Sequence, residues 1–295
     1  MREKALLPHY KSILITCFCG IFLQEVVLAE EPEELSALDK RIQIEQKTRY
    51  QSFVITPHKP NYIMPIAYND KPNNASQTTL ADAELYKNEV KFQFSMKFPM
   101  AEDLFGEKAT IYFAYTNLSF WQAYNSDVSS PFRETVHEPE FFISFPANYE
   151  YLGFKNRLVQ FGVNHQSNGR TGLQSRSWNR IYANFIFERG DFYLSLKPWY
   201  RLGGESVDDN PDIEKYYGHG EIRGVYAKGK HTVSIMLRNN FRNPNYGAFE
   251  FNWSFPMSRR VKWFVQYFNG YGESLIDYNA NVNRIGLGIA FTDWL

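Results

Sequence analysis

The sequence predicts an all-β protein: a twelve-stranded antiparallel transmembrane β-barrel that follows an N-terminal periplasmic arm. Three observations predict this fold: an export signal, no later apolar run long enough for a membrane-spanning helix, and twelve short segments of alternating polarity. In lipid, only helices and closed barrels pair all their backbone groups, so an exported membrane protein without apolar helices must be a barrel. A soluble β-sandwich explains the alternation equally well; the export signal and the strand count favour the barrel.

Residues 1–29 have the features of a signal peptide. Three basic residues accompany an apolar run over residues 13–23, which is too short to span a bilayer. Small or modest side chains near position 29 predict cleavage after Ala29. Cys17 and Cys19 both lie inside the apolar run, so the mature chain has neither a disulfide bond nor a thiolate nucleophile.

Residues 30–60 are polar and charged, and we expect a mobile periplasmic arm with a short helix at about 35–48. Residues 61–295 form the predicted barrel domain, in which short polar turns alternate with longer gaps such as 122–139 and 201–219. An even number of strands is typical of bacterial barrels. The twelve segments begin near Asn61, Glu89, Ala109, Glu140, Leu158, Ser177, Asp191, Gly220, Thr232, Gly247, Val261 and Arg284.

The composition agrees with this assignment and excludes one class of partner. Aromatic residues make up 17% of the chain, and they are common in strands and in the girdles where a barrel meets the lipid headgroups. The formal net charge is zero, whereas proteins that bind nucleic acid usually carry a basic excess. We therefore expect no nucleic-acid partner.

Two neighbouring segments place three polar side chains on the face that contacts lipid. Odd-numbered positions from 159 to 163 are apolar, and the same parity places His165 and Ser167 on the outer face. The next segment also has apolar residues at odd-numbered positions, so Asn179 faces outward too. Asn179 lies at the start of this segment, roughly opposite the end of the segment before it. Polar groups on a lipid-facing wall are costly, so three together indicate a function.

Nucleophilic catalysis is the chemistry that this combination supports. A serine hydroxyl needs an adjacent base, which His165 can be, and the imidazole needs a third group to fix its tautomer. The carboxamide oxygen of Asn179 can accept the other imidazole N–H. The alternative is ordinary structure, since a His-x-Ser pair is commonplace and Ser-Asn-Gly is a frequent turn sequence.

At these residues the chain strongly resembles the outer-membrane phospholipase A family. The signature His-x-Ser-Asn-Gly-Arg at 165–170 is followed at the family's spacing by Ser-Arg-Ser-Trp-Asn-Arg at 175–180. The resemblance covers roughly residues 60 to 295. Further matching stretches lie at 89–93, 129–135, 197–200, 208–213 and 270–279.

The resemblance implies a phospholipase of the A1/A2 type that hydrolyses acyl ester bonds of phospholipids and lysophospholipids in the outer membrane of a Gram-negative bacterium. It assigns Ser167 as nucleophile, His165 as base, Asn179 as orienting residue and the Gly169 N–H as oxyanion donor. It also implies a homodimer when active and a calcium cofactor. The implied calcium ligands are the Arg170 carbonyl, the Ser175 hydroxyl and the carbonyl of the partner subunit's Ser129.

The chain departs from the family pattern in one loop, and rival functions remain. Residues 171–174 carry no acidic side chain, which argues against a second calcium site there. A passive porin or adhesin barrel would not release fatty acid from lipid. Another lipid-modifying barrel, such as a lipid A deacylase or palmitoyl transferase, would differ in its substrates.

Overall fold

The computed structural model describes residues 11–13, 26–28, 35–52, 54–74, 84–106, 108–203 and 209–295. The chain divides into two units, Met1–Ser36 and Ala37–Leu295. In the first unit, strands β1 (Lys11–Ile13) and β2 (Val26–Leu28) form an antiparallel pair. Most of the expected signal peptide, including its apolar run beyond residue 13 and the cleavage position at 29, lies outside the described residues.

The second unit begins with helix α1 (Ala37–Thr48) and contains twelve long strands, counted over the described residues. These are β4 (Asn61–Asn69), β5 (Asn88–Leu104), β6 (Ala109–Trp121), β7 (Phe132–Pro146), β9 (Phe154–Ser167), β10 (Ser177–Arg189), β11 (Phe192–Leu202), β12 (Gly220–Lys228), β13 (His231–Asn239), β14 (Gly247–Pro256), β15 (Lys262–Tyr271) and β16 (Asn281–Thr292). The shorter elements are β3 (Thr56–Pro57), β8 (Glu150–Tyr151) and α2 (Ile213–Tyr217).

The twelve long strands close into one antiparallel barrel. Each pairs with the next along the chain, β7 with β9 across the short β8, and β16 returns to pair with β4. The β9–β10 pair completes the ring. The predicted barrel is therefore confirmed, and its strand order follows the chain order.

One predicted boundary is wrong. The sequence places the start of the fourth barrel strand at Glu140 and an external loop over 122–139, but β7 begins at Phe132. Its first half is polar on both faces, because buried Arg133, Glu134 and Glu138 point into a charged lumen while His137 faces outward. Apolar alternation does not mark this part of the strand, because Val136 is flanked on the lumen face by charged side chains that form ion pairs.

Alternation elsewhere divides the wall into an apolar exterior and a packed interior. In β16, Ile285 and Leu287 are 55% and 43% exposed and belong to the outer face. Gly286 and Gly288 face inward, where the chain of β4 comes close. A Cβ atom at Gly288 would lie 2.1 Å from the backbone oxygen of Ile63, so only glycine fits there.

Charged side chains fill much of the lumen. Arg284 pairs with Glu273 and Glu89 at 2.8 Å each, and Lys91 pairs with Glu273 at 2.8 Å. Arg133 pairs with Glu89 at 2.6 Å. Buried charges of this kind persist only when they are paired and hydrogen-bonded. Two cavities in the interior have volumes of about 180 Å³ and 170 Å³.

Helix α1 is attached to the barrel at the end that carries the short turns. Glu45 pairs with Lys97 of β5 at 2.8 Å, and the N–H of Ala37 donates to the Tyr193 hydroxyl at 3.0 Å. Arg41 donates to the carbonyl of Trp294. The predicted short helix is thus present, but the expected mobile arm is a docked element over the described residues 37–48.

Neither helix of the second unit has the length and apolar character needed to cross a membrane, and no helix in the described residues does.

Candidate active site on the outer wall

The candidate site lies where β9 ends and β10 begins, at the barrel end that carries the long loops. The two strands pair without interruption from Ser177 to Ile186. Their register sets His165 opposite Asn179 and Ser167 opposite Ser177. The β9–β10 pairing therefore joins residues separated by a nine-residue loop.

All three predicted side chains have outward parity. Asn164 and Arg180, the lumen-side neighbours of His165 and Asn179, are buried, and their side chains hydrogen-bond to each other at 2.6 Å. Val163 and Ile181, two residues further along the outer face, are 49% and 43% exposed. Because successive side chains of a strand point to opposite faces, His165, Ser167 and Asn179 belong to the outer wall.

The imidazole of His165 is held by the carboxamide of Asn179. The distance from Nδ1 to the Asn179 Oδ1 is 2.8 Å. A carboxamide oxygen only accepts hydrogen bonds, so Nδ1 carries the proton and Nε2 of the neutral ring has a free lone pair. This is the tautomer that a general base needs.

Ser167 shares the outer face with His165, two residues away on the same strand. Within the described residues, no hydrogen bond is recorded for the Ser167 hydroxyl. Hydroxyl groups rotate freely, and catalytic hydrogen bonds are often long before substrate binds. The parity of β9 therefore places the His165 imidazole and the Ser167 hydroxyl next to each other on the outer face. Whether the two groups are in contact depends on rotation of the Ser167 hydroxyl.

Asn168 organises the loop that follows, a role that the sequence analysis did not assign. Its Oδ1 accepts from the backbone N–H groups of Arg170 and Arg176 at 3.3 Å and 3.0 Å. Its Nδ2 donates to the carbonyl of Gln174 at 2.9 Å and to buried Glu134 of β7 at 3.4 Å. The Ser-Asn-Gly sequence was the available signal, since asparagine commonly closes turns in this way.

Gly169 has a φ of +63°, in the left-handed region that favours glycine. This conformation turns the chain directly after Ser167 and Asn168. The family resemblance implies that the Gly169 backbone N–H is the oxyanion donor.

Two of the three predicted metal ligands share this loop, and a carboxylate joins them. The Ser175 hydroxyl donates to Oδ2 of Asp209 at 2.5 Å, and Arg170 lies in the same loop as Ser175. Asp209 was not predicted, although its stretch at 208–213 was already matched to the family. It is brought here because the neighbouring Asn210 accepts a hydrogen bond from the Ser177 N–H at 2.9 Å.

Ser129 lies elsewhere, in the loop between β6 and β7. It has a φ of +59° and its N–H donates to the Ser126 carbonyl. Among the described residues, no hydrogen bond joins Ser129 to Arg170 or Ser175, and no cluster of three His, Cys, Asp or Glu side chains could hold a metal. In the part of the chain that the structure describes, the oxygens available to a cation here are the Arg170 carbonyl, the Ser175 hydroxyl and the Asp209 carboxylate, a donor set that suits calcium.

Comparison with known proteins gives a consistent family. The family model described as Phospholipase A1 matches residues 38–291. The Phospholipase A1 of Salmonella typhimurium is 40% identical over 241 residues, 82% of each chain, and that of Escherichia coli K12 is 39% identical over the same length.

Solved structures are similar over nearly the same region. The outer membrane phospholipase A of Escherichia coli has a TM-score of 0.78 and 38% identity, covering 83% of this chain and 94% of that one. A Salmonella typhi outer membrane phospholipase, solved as a dimer with bound calcium, has a TM-score of 0.78 and 39% identity with the same coverage. The chain described here therefore belongs to the phospholipase A1 family.

Proposed function

We propose that this member of the phospholipase A1 family is a calcium-dependent outer-membrane enzyme that hydrolyses acyl ester bonds of phospholipids and lysophospholipids with Ser167, His165 and Asn179. One observation carries the proposal: the 2.8 Å bond from His165 Nδ1 to Asn179 Oδ1, on the lipid-facing wall beside a serine hydroxyl. Polar groups on a lipid-facing wall are costly, so a hydrogen-bonded pair there supports a functional role.

The reaction follows from the protonation state of the imidazole. His165 Nε2 takes the Ser167 proton while Oγ bonds to the ester carbonyl carbon. The carbonyl oxygen becomes an oxyanion, which the Gly169 N–H stabilises. His165 then gives the proton to the leaving glycerol oxygen as the ester bond breaks, and an acyl-serine remains. Water then attacks the acyl carbon as the same imidazole takes its proton. The imidazole returns that proton to Ser167 Oγ as the acyl–serine bond breaks and the fatty acid leaves.

Calcium is the proposed cofactor, and the loop after Ser167 contains suitable ligands. Arg170 offers its carbonyl, Ser175 its hydroxyl and Asp209 its carboxylate, and the remaining ligand is the carbonyl of the partner subunit's Ser129. Bound calcium supplies positive charge beside the oxyanion. The Salmonella typhi relative, a dimer with bound calcium, supports both the cofactor and the active homodimer.

The site also suits membrane phospholipid as substrate. It opens on the outer wall and not into the lumen, and apolar side chains continue from it along β9 and β10. A passive channel is less well supported, because charged side chains fill much of the lumen, where two cavities among the described residues measure about 180 Å³ and 170 Å³.

Replacing the nucleophile tests the proposal directly. For Ser167→Ala we expect calcium-dependent fatty-acid release from micellar phospholipid to fall by about 10⁴-fold or more. Without the nucleophile, only substrate binding and oxyanion stabilisation still accelerate the reaction. Ser195→Ala is the matched control, since the Ser195 hydroxyl donates to Asn184 on the lumen side of the wall at 2.7 Å. Its activity should stay within about threefold of the parent, and an unchanged rate for Ser167→Ala would refute the nucleophile.

A further inference from the structure

We propose that His137 binds the phosphate group of the phospholipid whose ester lies at Ser167. The proposal rests on the phospholipase activity proposed above and adds a second imidazole to the site. Its basis is geometric: β7 is the other neighbour of β9, and its register places His137 directly opposite Ser167.

His137 and Ser167 lie on the same face of the wall. Directly opposed residues of an antiparallel pair point to the same side, with Cβ atoms about 5 Å apart. Phe141, four residues along β7, is 50% exposed, and the intervening Glu138 and Glu140 are buried on the lumen side. Ser167 is thus flanked by His165 on its own strand and by His137 across the ladder.

Tyr115 holds one nitrogen of the His137 ring. Its hydroxyl lies 2.6 Å from Nδ1. With the phenol as donor, the ring proton resides on Nε2, and Nε2 also carries a proton when the imidazole is cationic. Within the part of the chain that the structure describes, no hydrogen bond is recorded for Nε2. A polar group on a lipid-facing wall with one satisfied nitrogen needs a partner for the other.

The free nitrogen faces the catalytic loop. A Cβ atom built on Gly169 would lie 3.9 Å from His137 Nε2. The loop is tied to β7 by the contact of Asn168 with Glu134 at 3.4 Å and by Arg170, which donates to the Phe132 carbonyl at 3.2 Å. These contacts keep the loop and the imidazole together, so Nε2 lies at the edge of the space that substrate must occupy.

The position suits the phosphate better than the reacting ester. The ester carbonyl must lie next to the Ser167 hydroxyl, whereas His137 is one strand away. In a phospholipid the phosphate is separated from the acyl ester by a few bonds of the glycerol backbone. A donor on the neighbouring strand therefore reaches the phosphate while the ester contacts Ser167, and a hydrogen bond to a charged oxygen is among the stronger ones.

The test compares two substrates that share an ester but differ in phosphate. Phosphatidylcholine and a long-chain 4-nitrophenyl ester are presented in the same detergent micelles with calcium. For His137→Phe we expect kcat/KM for phosphatidylcholine, relative to the nitrophenyl ester, to fall about tenfold, mostly through KM, as loss of one charge-assisted hydrogen bond implies.

Three further variants sharpen the comparison. His137→Gln retains an N–H donor and should restore the ratio to within about threefold of the parent. Tyr115→Phe releases Nδ1 and should give an intermediate ratio. His231→Phe is the matched control, because His231 is exposed at the start of β13, stacked on Trp253 at 6.3 Å, and it should leave the ratio unchanged.

Every other result contradicts the proposal. Equal losses of His137→Phe on both substrates would mean that His137 supports the ester chemistry or the fold, and an unchanged ratio would mean that phosphate binds elsewhere. Failure of the proposed function itself looks different: the parent protein would then release no fatty acid from phosphatidylcholine, or Ser167→Ala would remain active.

Discussion

The orienting group of the candidate site is a neutral carboxamide, where serine hydrolases usually have a carboxylate. Asn179 accepts the His165 N–H at 2.8 Å on a wall that faces lipid. A carboxylate there would carry a charge into an environment of low polarity, which costs more than a neutral amide. The neutral group fixes the tautomer but gives less stabilisation to the imidazolium that forms during reaction.

Removal of this carboxamide should slow chemistry without weakening substrate binding. For Asn179→Ala we expect kcat to fall by about 10- to 100-fold with KM within about threefold, because one hydrogen bond to a group that becomes charged is lost. Steady-state kinetics on micellar phospholipid measure this. The control is Asn184→Ala, on the same strand but bonded to Gln160 at 3.0 Å on the lumen side. A change in KM alone, with kcat unchanged, would contradict the role assigned to Asn179.

Asp209 should set the calcium requirement, because among the described residues it is the carboxylate that accepts a hydrogen bond from the Ser175 hydroxyl. For Asp209→Asn we expect the calcium concentration for half-maximal activity to rise at least about tenfold, since a charged oxygen ligand becomes neutral. Titration of activity with calcium after chelation measures the shift.

The matched control for that titration is Asp212→Asn, three residues further along the same loop. Asp212 accepts from the Tyr278 hydroxyl at 2.8 Å, a contact that an amide oxygen can keep. Its calcium curve should match the parent's. Identical curves for the Asp209 and Asp212 variants would exclude Asp209 from the metal site.

At the scale of the element, the proposed catalytic residues lie on the β9–β10 hairpin and α1 packs at the opposite end of the barrel. Glu45 of α1 contacts Lys97 at 2.8 Å and Arg41 at 2.9 Å. Burial by itself would raise the pKa of Glu45, but the two positive charges outweigh it and hold the pKa below its ordinary value. A carboxyl group with a lowered pKa stabilises the folded state above its ordinary pKa, and this contribution is lost as pH falls.

Docking of α1 should therefore weaken in acid. We expect pepsin to cut the parent within residues 37–52 faster at pH 3 than at pH 5, after normalisation to an unfolded reference peptide. Glu45→Gln should be cut readily at both values, because its ion pairs are absent throughout. Glu150→Gln, on the exposed strand β8, is the control and should behave as the parent. Equal sensitivity of parent and Glu45→Gln at pH 5 would show that the pairs do not hold the helix.

At the scale of the whole molecule, each of the twelve long strands that the structure describes has a partner on both sides, and an ion-pair network in the lumen joins the walls. Arg133 of β7 reaches Glu89 of β5 at 2.6 Å and also pairs with Asp277 in the loop before β16. These partners are far apart in the chain. The ion pairs therefore join strands, such as β5 and β7, that share no backbone hydrogen bonds with each other.

Removing one charge from this network should destabilise the barrel. For Arg133→Met we expect the free energy of unfolding to fall by about 3 kcal/mol. This is the lower end of the range for breaking a buried ion pair. We choose the lower end because Glu89 still has Arg284 as a partner. Guanidinium unfolding in detergent micelles measures it. Arg189→Met, exposed at the end of β10, should change stability by less than about 0.5 kcal/mol. An unchanged midpoint for Arg133→Met would contradict the assigned structural role.

Most strand positions could be predicted, because the alternation that marks them is a local property. Eleven predicted starts lie within four residues of the observed ones, from Asn61 to the late start predicted at Arg284. The start of β7 could not be predicted, because polar side chains lie on both faces of the strand near Phe132. Docking of α1 was missed for a related reason: its ion-pair partners, such as Lys97, are distant in the chain.

By itself, the sequence determined which face each side chain occupies. A strand has a period of two, so His165 and Ser167 must share a face, and the apolar parity of β9 and β10 identifies it as the outer one. Only the tertiary structure decided which residues meet there. The register of β10 sets Asn179 opposite His165, that of β7 brings His137 beside Ser167, and a distant loop delivers Asp209 to Ser175. Parity is fixed within one strand, whereas register and closure depend on pairing between strands far apart in the chain.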